Sequence, residues 1–167
     1  MWHCLLYTSV PPNQTATVFQ ITPAGVFTSI YQDQSGGNGP DSLVFGSDGN
    51  IYGITAQEGS CAIEPILGCG TVFKVTLQGA YSAIYTFNGT TDGVLPSSLV
   101  EGGDGNFYGV TTSGTTWGGT VFRVTPSGSF SIVHTFFGAD GADPNALTAG
   151  PNQILYGSTL FLSLIHI

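Results

Sequence analysis

The chain has 167 residues, 41% of them hydrophobic and 12% aromatic, enough apolar material for one folded domain and too much for wholesale disorder. Ten acidic residues stand against Lys74 and Arg123 alone, a net charge of -8, so there is no basic stripe to neutralise phosphates, and nucleic acid and anionic membrane surfaces are excluded as expected partners. Charged residues make up only 7%, against roughly 25% in an ordinary soluble domain, while 25 glycines and 9 prolines punctuate the chain, the profile of many short strands and turns.

Residues 1–15 show no pattern that recurs later, and MWHCLLYTSV lacks the ordered basic, apolar and small-residue regions of a secretory signal. CLLYTS (4–9), like SLIHI (163–167), resembles translated sequencing-library adapter, so 1–15 and 160–167 are expected to be non-native or irregular ends and carry no functional expectation.

From residue 16 the text becomes periodic. ATVFQITPAG (16–25) returns as GTVFKVTLQG (70–79) and GTVFRVTPSG (119–128), placing Val18, Val72 and Val121 54 and then 49 residues apart. An apolar-rich segment follows each copy: VFTSIY (26–31), AYSAIYTF (80–87) and SFSIVHTF (129–136). A proline then introduces PDSLVFG, PSSLVEG or PNALTAG, from Pro40, Pro96 and Pro144. Last come DGNIYGIT (48–55), DGNFYGVT (104–111) and the weaker PNQILYGST (151–159). Each unit predicts four short antiparallel strands, named a (SLVEG type), b (NFYGVT type), c (TVFRVT type) and d (SFSIVHTF type).

The links between strands have readable chemistry. Asp48-Gly49 and Asp104-Gly105 predict two-residue a–b hairpins with both central residues at positive φ. Thr-Pro-x-Gly predicts the c–d reversal. In strand c, Phe73 and Val75 alternate with Val72, Lys74 and Thr76, the period of an extended chain, and helical spacing is absent. The glycine after each tyrosine (Gly53, Gly109, Gly157) marks a close approach of another backbone or ring.

A four-stranded unit repeated about every 50 residues predicts β-propeller blades, which bury both faces against neighbours and so explain the scarcity of charge. A β-solenoid is the alternative, with coils usually shorter than this. The chain supplies c–d, two full sets and a final a–b, about three blades, fewer than the 4 to 8 of a closed propeller, so residues 16–159 are expected to be a fragment of a larger one. The run from Ile154 to Ile167 is broken by Tyr156, Gly157 and Ser158 and falls short of the roughly 18 to 20 apolar residues of a spanning helix.

The combination LVxGxDGNxYGxT, then GTVFxxTPxG, then a strand ending in TF resembles the GloVer-type tandem repeat family of bacterial proteins over residues 16–159. The resemblance implies a propeller-like repeat array on an exported or surface-anchored protein, with no catalytic residues to carry over. Departures are local: Gln20 stands where Lys74 and Arg123 stand, and copy three replaces DGN by Asn152-Gln153-Ile154.

The long b–c and d–a links should emerge together, opposite the tight turns, and form the working end. That end receives Asp92 and Asp140, each four residues before a proline, together with Asp143, Asp33, Glu58 and Glu64. With Trp117 they could form a Ca2+ or sugar-binding rim; the competing account is solvated acids and ordinary Asp-Gly turns, since no Asp-x-Asp-x-Asp loop with a spaced glutamate is present. No other cofactor is expected. A non-catalytic binding or structural module for a glycan or protein partner is the expected function. Its rival is a carbohydrate-active propeller enzyme using two loop carboxylates, although no Ser/His/Asp signature supports one.

His134 replaces Tyr31 and Tyr85 of the other copies, so a packed ring is expected rather than a base or ligand. Lys74 and Arg123 read as an exposed position resting on an aliphatic stem. Cys61 and Cys69 bracket the longest b–c link, where a disulfide would fit an exported protein, whereas two sulfurs without a nearby histidine make a metal site a poor alternative.

Overall fold

The structure is a computed structural model and describes residues 16–33, 39–61, 68–113 and 118–161. Within them the chain is all-β apart from one 3-10 turn at Pro151–Gln153. The strands are β1 (Ala16–Ile21), β2 (Phe27–Asp33), β3 (Ser42–Phe45), β4 (Ile51–Thr55), β5 (Thr71–Val75), β6 (Tyr81–Thr86), β7 (Val94–Glu101), β8 (Phe107–Ser113), β9 (Thr120–Val124), β10 (Phe130–Thr135), β11 (Ala142–Ala149) and β12 (Leu155–Phe161). They form antiparallel sheets in the orders β1-β2, β3-β4-β5-β6, β7-β8-β9-β10 and β11-β12. In the repeat's own terms these are c–d, a–b–c–d, a–b–c–d and a–b: two complete blades flanked by two half-blades. β12 runs two residues past the expected boundary at 159.

Both complete blades use one register. Thr55 faces Thr71 and Ile51 faces Val75 in one, and Thr111 faces Thr120 and Phe107 faces Val124 in the other. The facing threonine hydroxyls hydrogen-bond at 2.9 and 2.8 Å inside the protein, pinning strand b to strand c.

The a–b links differ from the two-residue form. Gly46 donates to the Asn50 carbonyl at 2.8 Å and Gly49 to the Gly46 carbonyl at 2.9 Å, giving a three-residue loop in which only Gly49 takes positive φ, 81°. Asp48 explains the difference. It accepts the Asn50 backbone N–H at 3.1 Å, the Asn50 amide at 2.8 Å and the Tyr52 hydroxyl at 2.9 Å, a chelate that fixes the aspartate before the glycine. The c–d turns have the same build, with Thr76 and Gly79 in the corresponding places.

Period-two alternation sends the two sides of blade β3–β6 into separate cores. Phe73, Val75 and Ile51 pack with Val18 of the preceding half-blade. Tyr52, Ile54 and Val72 pack with Leu99, Phe107 and Phe122 of the following blade. Gly53 and Gly109 lie beneath the rings of Phe73 and Phe122, where a Cβ would collide. Across the blade–blade joint Tyr52 stacks on Phe107 with centroids 3.9 Å apart, and Ser47 binds Glu101 through both its amide (2.9 Å) and its hydroxyl (2.6 Å). Among the described residues no helix is long and apolar enough to cross a membrane.

Candidate functional site at the long-link end

Strand ends fix the site's location. The b–c and d–a links leave together at one end, opposite the Asp-Gly and Thr-x-x-Gly turns, so the described acids among those named from the sequence share that end but not one environment.

Asp92 is turned inward and 2% exposed, accepting the Tyr85 hydroxyl at 2.7 Å and the backbone N–H groups of Asn88 (2.9 Å) and Gly89 (3.0 Å). It is therefore the brace of its link. Asp140 occupies the equivalent place but is exposed, bonded to His134 Nε2 at 2.7 Å and to the Phe137 N–H at 3.0 Å. The Phe137 N–H, with His134 beside it, holds the Asp140 carboxyl below its ordinary range. His134 is thus exposed rather than packed, with its ring edge-on to Phe136 at 4.8 Å. Asp143 takes a left-handed φ of 59° before Pro144, and its N–H donates to the Gly118 carbonyl at 3.0 Å. These three aspartates do not converge, and Trp117 and Glu64 lie outside the described residues.

The acids that do meet are Asp33, from the end of β2, and Glu58, from the b–c link of the next blade. Glu58 is half-buried and hydrogen-bonds Asp33 and Thr55, while its Oε1 is closed off from solvent without a partner among the described residues. Burial first, and then the hydrogen bond and charge of Asp33, push the Glu58 carboxyl up to about 7, so it holds a proton near neutrality. The neighbouring Tyr31 and Tyr81 rings stack at 4.9 Å and 14°. Desolvation, followed by these carboxylates, raises both phenols. The sequence held a signal for this pair: Asp33 occupies the strand-d position of Phe87 and Phe136, so one repeat puts an acid where the others put a ring.

Cys61 and Cys69 are joined as a disulfide across the b–c link next to Glu58, with Cα atoms 5.1 Å apart. Lys74 Nζ meets Asp48 at 3.0 Å and lies 5.3 Å from the Tyr52 ring centroid, at the opposite end of the blade. Among the described residues no three His, Cys, Asp or Glu side chains converge as a metal-holding group.

The arrangement presents two hydrogen-bonded carboxyls, with Glu58 holding a proton near neutrality, beside a phenolic pair. Such a group can give and accept hydrogen bonds and flank an apolar ring face. It is poorly suited to glycoside hydrolysis, which needs two carboxyls at least about 5 Å apart with the sugar between them.

A family model described as the Gloeobacter/Verrucomicrobia repeat matches residues 7–161. No curated protein matches the sequence. Among solved structures, a catalytically inactive virginiamycin B lyase from Staphylococcus aureus with quinupristin superposes with a TM-score of 0.59 at 18% identity, over 85% of this chain and 41% of that one. A putative gluconolactonase gives 0.57 at 19% identity, over 84% and 49%. Both are propeller-like, and at this identity the likeness concerns the fold alone. The chain spans less than half the length of either.

Proposed function

The chain belongs to the Gloeobacter/Verrucomicrobia repeat family, and from that premise we propose that it is a non-catalytic glycan-binding part of an exported or surface-displayed bacterial β-propeller. The observation that carries this reading is the Asp33–Glu58 carboxyl pair beside the stacked Tyr31 and Tyr81 rings. Carbohydrates present hydroxyls that need both donors and acceptors, and apolar C–H faces that rest on aromatic rings. The hydrogen-bonded carboxyl pair supplies the first, and Tyr81, stacked on Tyr31 and Phe73 yet 37% exposed, borders the pair with the second. The Cys61–Cys69 bridge supports an oxidising compartment.

Titration calorimetry against a panel of neutral and acidic oligosaccharides tests the reading, with a retained ligand expected and Tyr81→Ala or Glu58→Ala each weakening it by about tenfold or more, the loss of one charge-assisted or stacking contact. Competition by polypeptides alone would replace the glycan with a protein partner. Shortened oligosaccharide products would replace the binding role with the enzymatic one.

A further inference from the structure

Two successive joints of this protein are built from the same repeat positions and closed differently. Between blade β7–β10 and strands β11–β12, the Ser97 hydroxyl donates to the Pro144 carbonyl at 3.4 Å and the Ser98 hydroxyl accepts the Leu147 N–H at 3.2 Å. These bonds tie strand a of one unit to strand a of the next. Between blades β3–β6 and β7–β10, Asp41 stands where Ser97 stands. A carboxylate has no hydrogen to give the Pro96 carbonyl, and Asp41 Oδ2 instead accepts the Ala56 N–H of its own blade at 2.6 Å. An open cleft of about 400 Å³ occupies this joint, lined by Asp41, Ala56, Leu95, Pro96, Ser97 and Thr112.

A backbone outlier marks the same cleft. Leu95 takes a left-handed φ of 54°, a conformation costly for any residue with a Cβ. Gly39 and Asp143 hold the same place in the other repeats, at 75° and 59°, so the turn itself requires the conformation and glycine meets it most easily. Leu95 is pinned on both sides: its N–H donates to the Cys69 carbonyl at 3.2 Å, and its carbonyl accepts the Thr112 hydroxyl at 3.4 Å. Yet Leu95 is 36% exposed and lines the cleft, so packing inside the protein does not account for a large side chain at this position.

The cleft adjoins the site already described. Its lining residues lie where strands b end and strands a begin, at the long-link end. Ala56, bonded to Asp41, precedes Glu58 by two residues, and the Asp41 charge reaches the Glu58 carboxyl. Glu58 in turn acts on the Tyr81 phenol. The cleft therefore offers the second carboxyl oxygen of Asp41, the hydroxyls of Ser97 and Thr112, and an apolar wall from Leu95 and Pro96.

We propose that this interblade cleft is a second subsite of the same site and holds an uncharged sugar unit, its hydroxyls on Asp41, Ser97 and Thr112 and its C–H face on Leu95 and Pro96. The ligand is then a neutral oligosaccharide running from Tyr81 past Glu58 into the joint. This rests on the glycan-binding reading and narrows it, because the neighbouring carboxyls of Asp33, Glu58 and Asp41 disfavour a uronate.

Calorimetry on the 167-residue chain tests this with neutral oligosaccharides of one to five units, built from glucose, xylose, mannose or N-acetylglucosamine, and with oligogalacturonates of the same lengths. Affinity for a neutral series is expected to rise about tenfold or more between one unit and three, the gain from a second subsite, and the uronates should bind more weakly. Leu95→Gly should weaken the longer ligand by about tenfold and leave the single unit unchanged. Its melting temperature should hold or rise, because glycine relieves the left-handed strain. Asp41→Ser, which puts the hydroxyl of the closed joint into the open one, should likewise remove the length dependence. Length dependence that survives in both variants, with Tyr81→Ala still weakening every ligand, would overturn the second subsite and leave the glycan reading standing. Binding by no member of the panel would overturn both.

Discussion

At the level of single residues, chemically similar acids in this protein do different things because the neighbouring blade differs. Asp92 and Asp140 occupy the same place in the repeat, but Asp92 is 2% exposed and accepts three hydrogen bonds, whereas Asp140 stands at the rim. Asp92→Ala should therefore cost about 2–4 kcal/mol in urea unfolding, since it strands buried donors, while Asp140→Ala should leave the midpoint where it is. The equivalence of the two positions is legible in the sequence; their burial is not, because it depends on what covers the link. Glu58 has a sign that can be checked against pH. Its folded carboxyl titrates at about 7, above the 4.5 of the unfolded chain, so its contribution to stability is fully present below pH 4.5 and is lost as pH rises through 7. Glu58→Gln, which cannot ionise, should therefore match the wild type near pH 4.5 and melt higher at pH 8. The gain should be about 2–4 °C, taking on the order of 1 kcal/mol for a partly solvated group.

Among the elements, strands were the easiest part to read and turns the hardest. Alternation in TVFKV put Phe73 and Val75 on one side and Val72 on the other, and those residues enter two different cores. The Asp-Gly links looked like two-residue hairpins because the dipeptide is shared with that turn, but the chelation of Asn50 and Tyr52 by Asp48 selects a three-residue loop. Glycines separate the backbone cost from the packing cost. Gly49 has φ 81° with nothing within 4 Å of a built Cβ, so Gly49→Ala should cost about 1 kcal/mol from conformation alone. Gly109 sits beneath the Phe122 ring and against the Ser98 carbonyl, so Gly109→Ala should cost about 3 kcal/mol or more, through a core that cannot shift. Thermal unfolding of the two variants side by side gives the comparison.

For the whole molecule, the repeat was legible because each blade repeats its own register, down to the threonine pairs that lock b to c. The Asp33–Glu58 pair was less so. Asp33 and Glu58 come from different repeats and meet only when blades stack, so no spacing within one repeat announces them, although the acid at a ring position does. Half-blades at both ends follow from the same periodicity, which sets c–d first and a–b last.

Residue-resolved hydrogen exchange tests the blade architecture most directly. The account predicts that the amides of the inner strands β4, β5, β8 and β9, each paired on both sides, exchange slowest. Rapid exchange along β4, β5, β8 and β9 would contradict the blades.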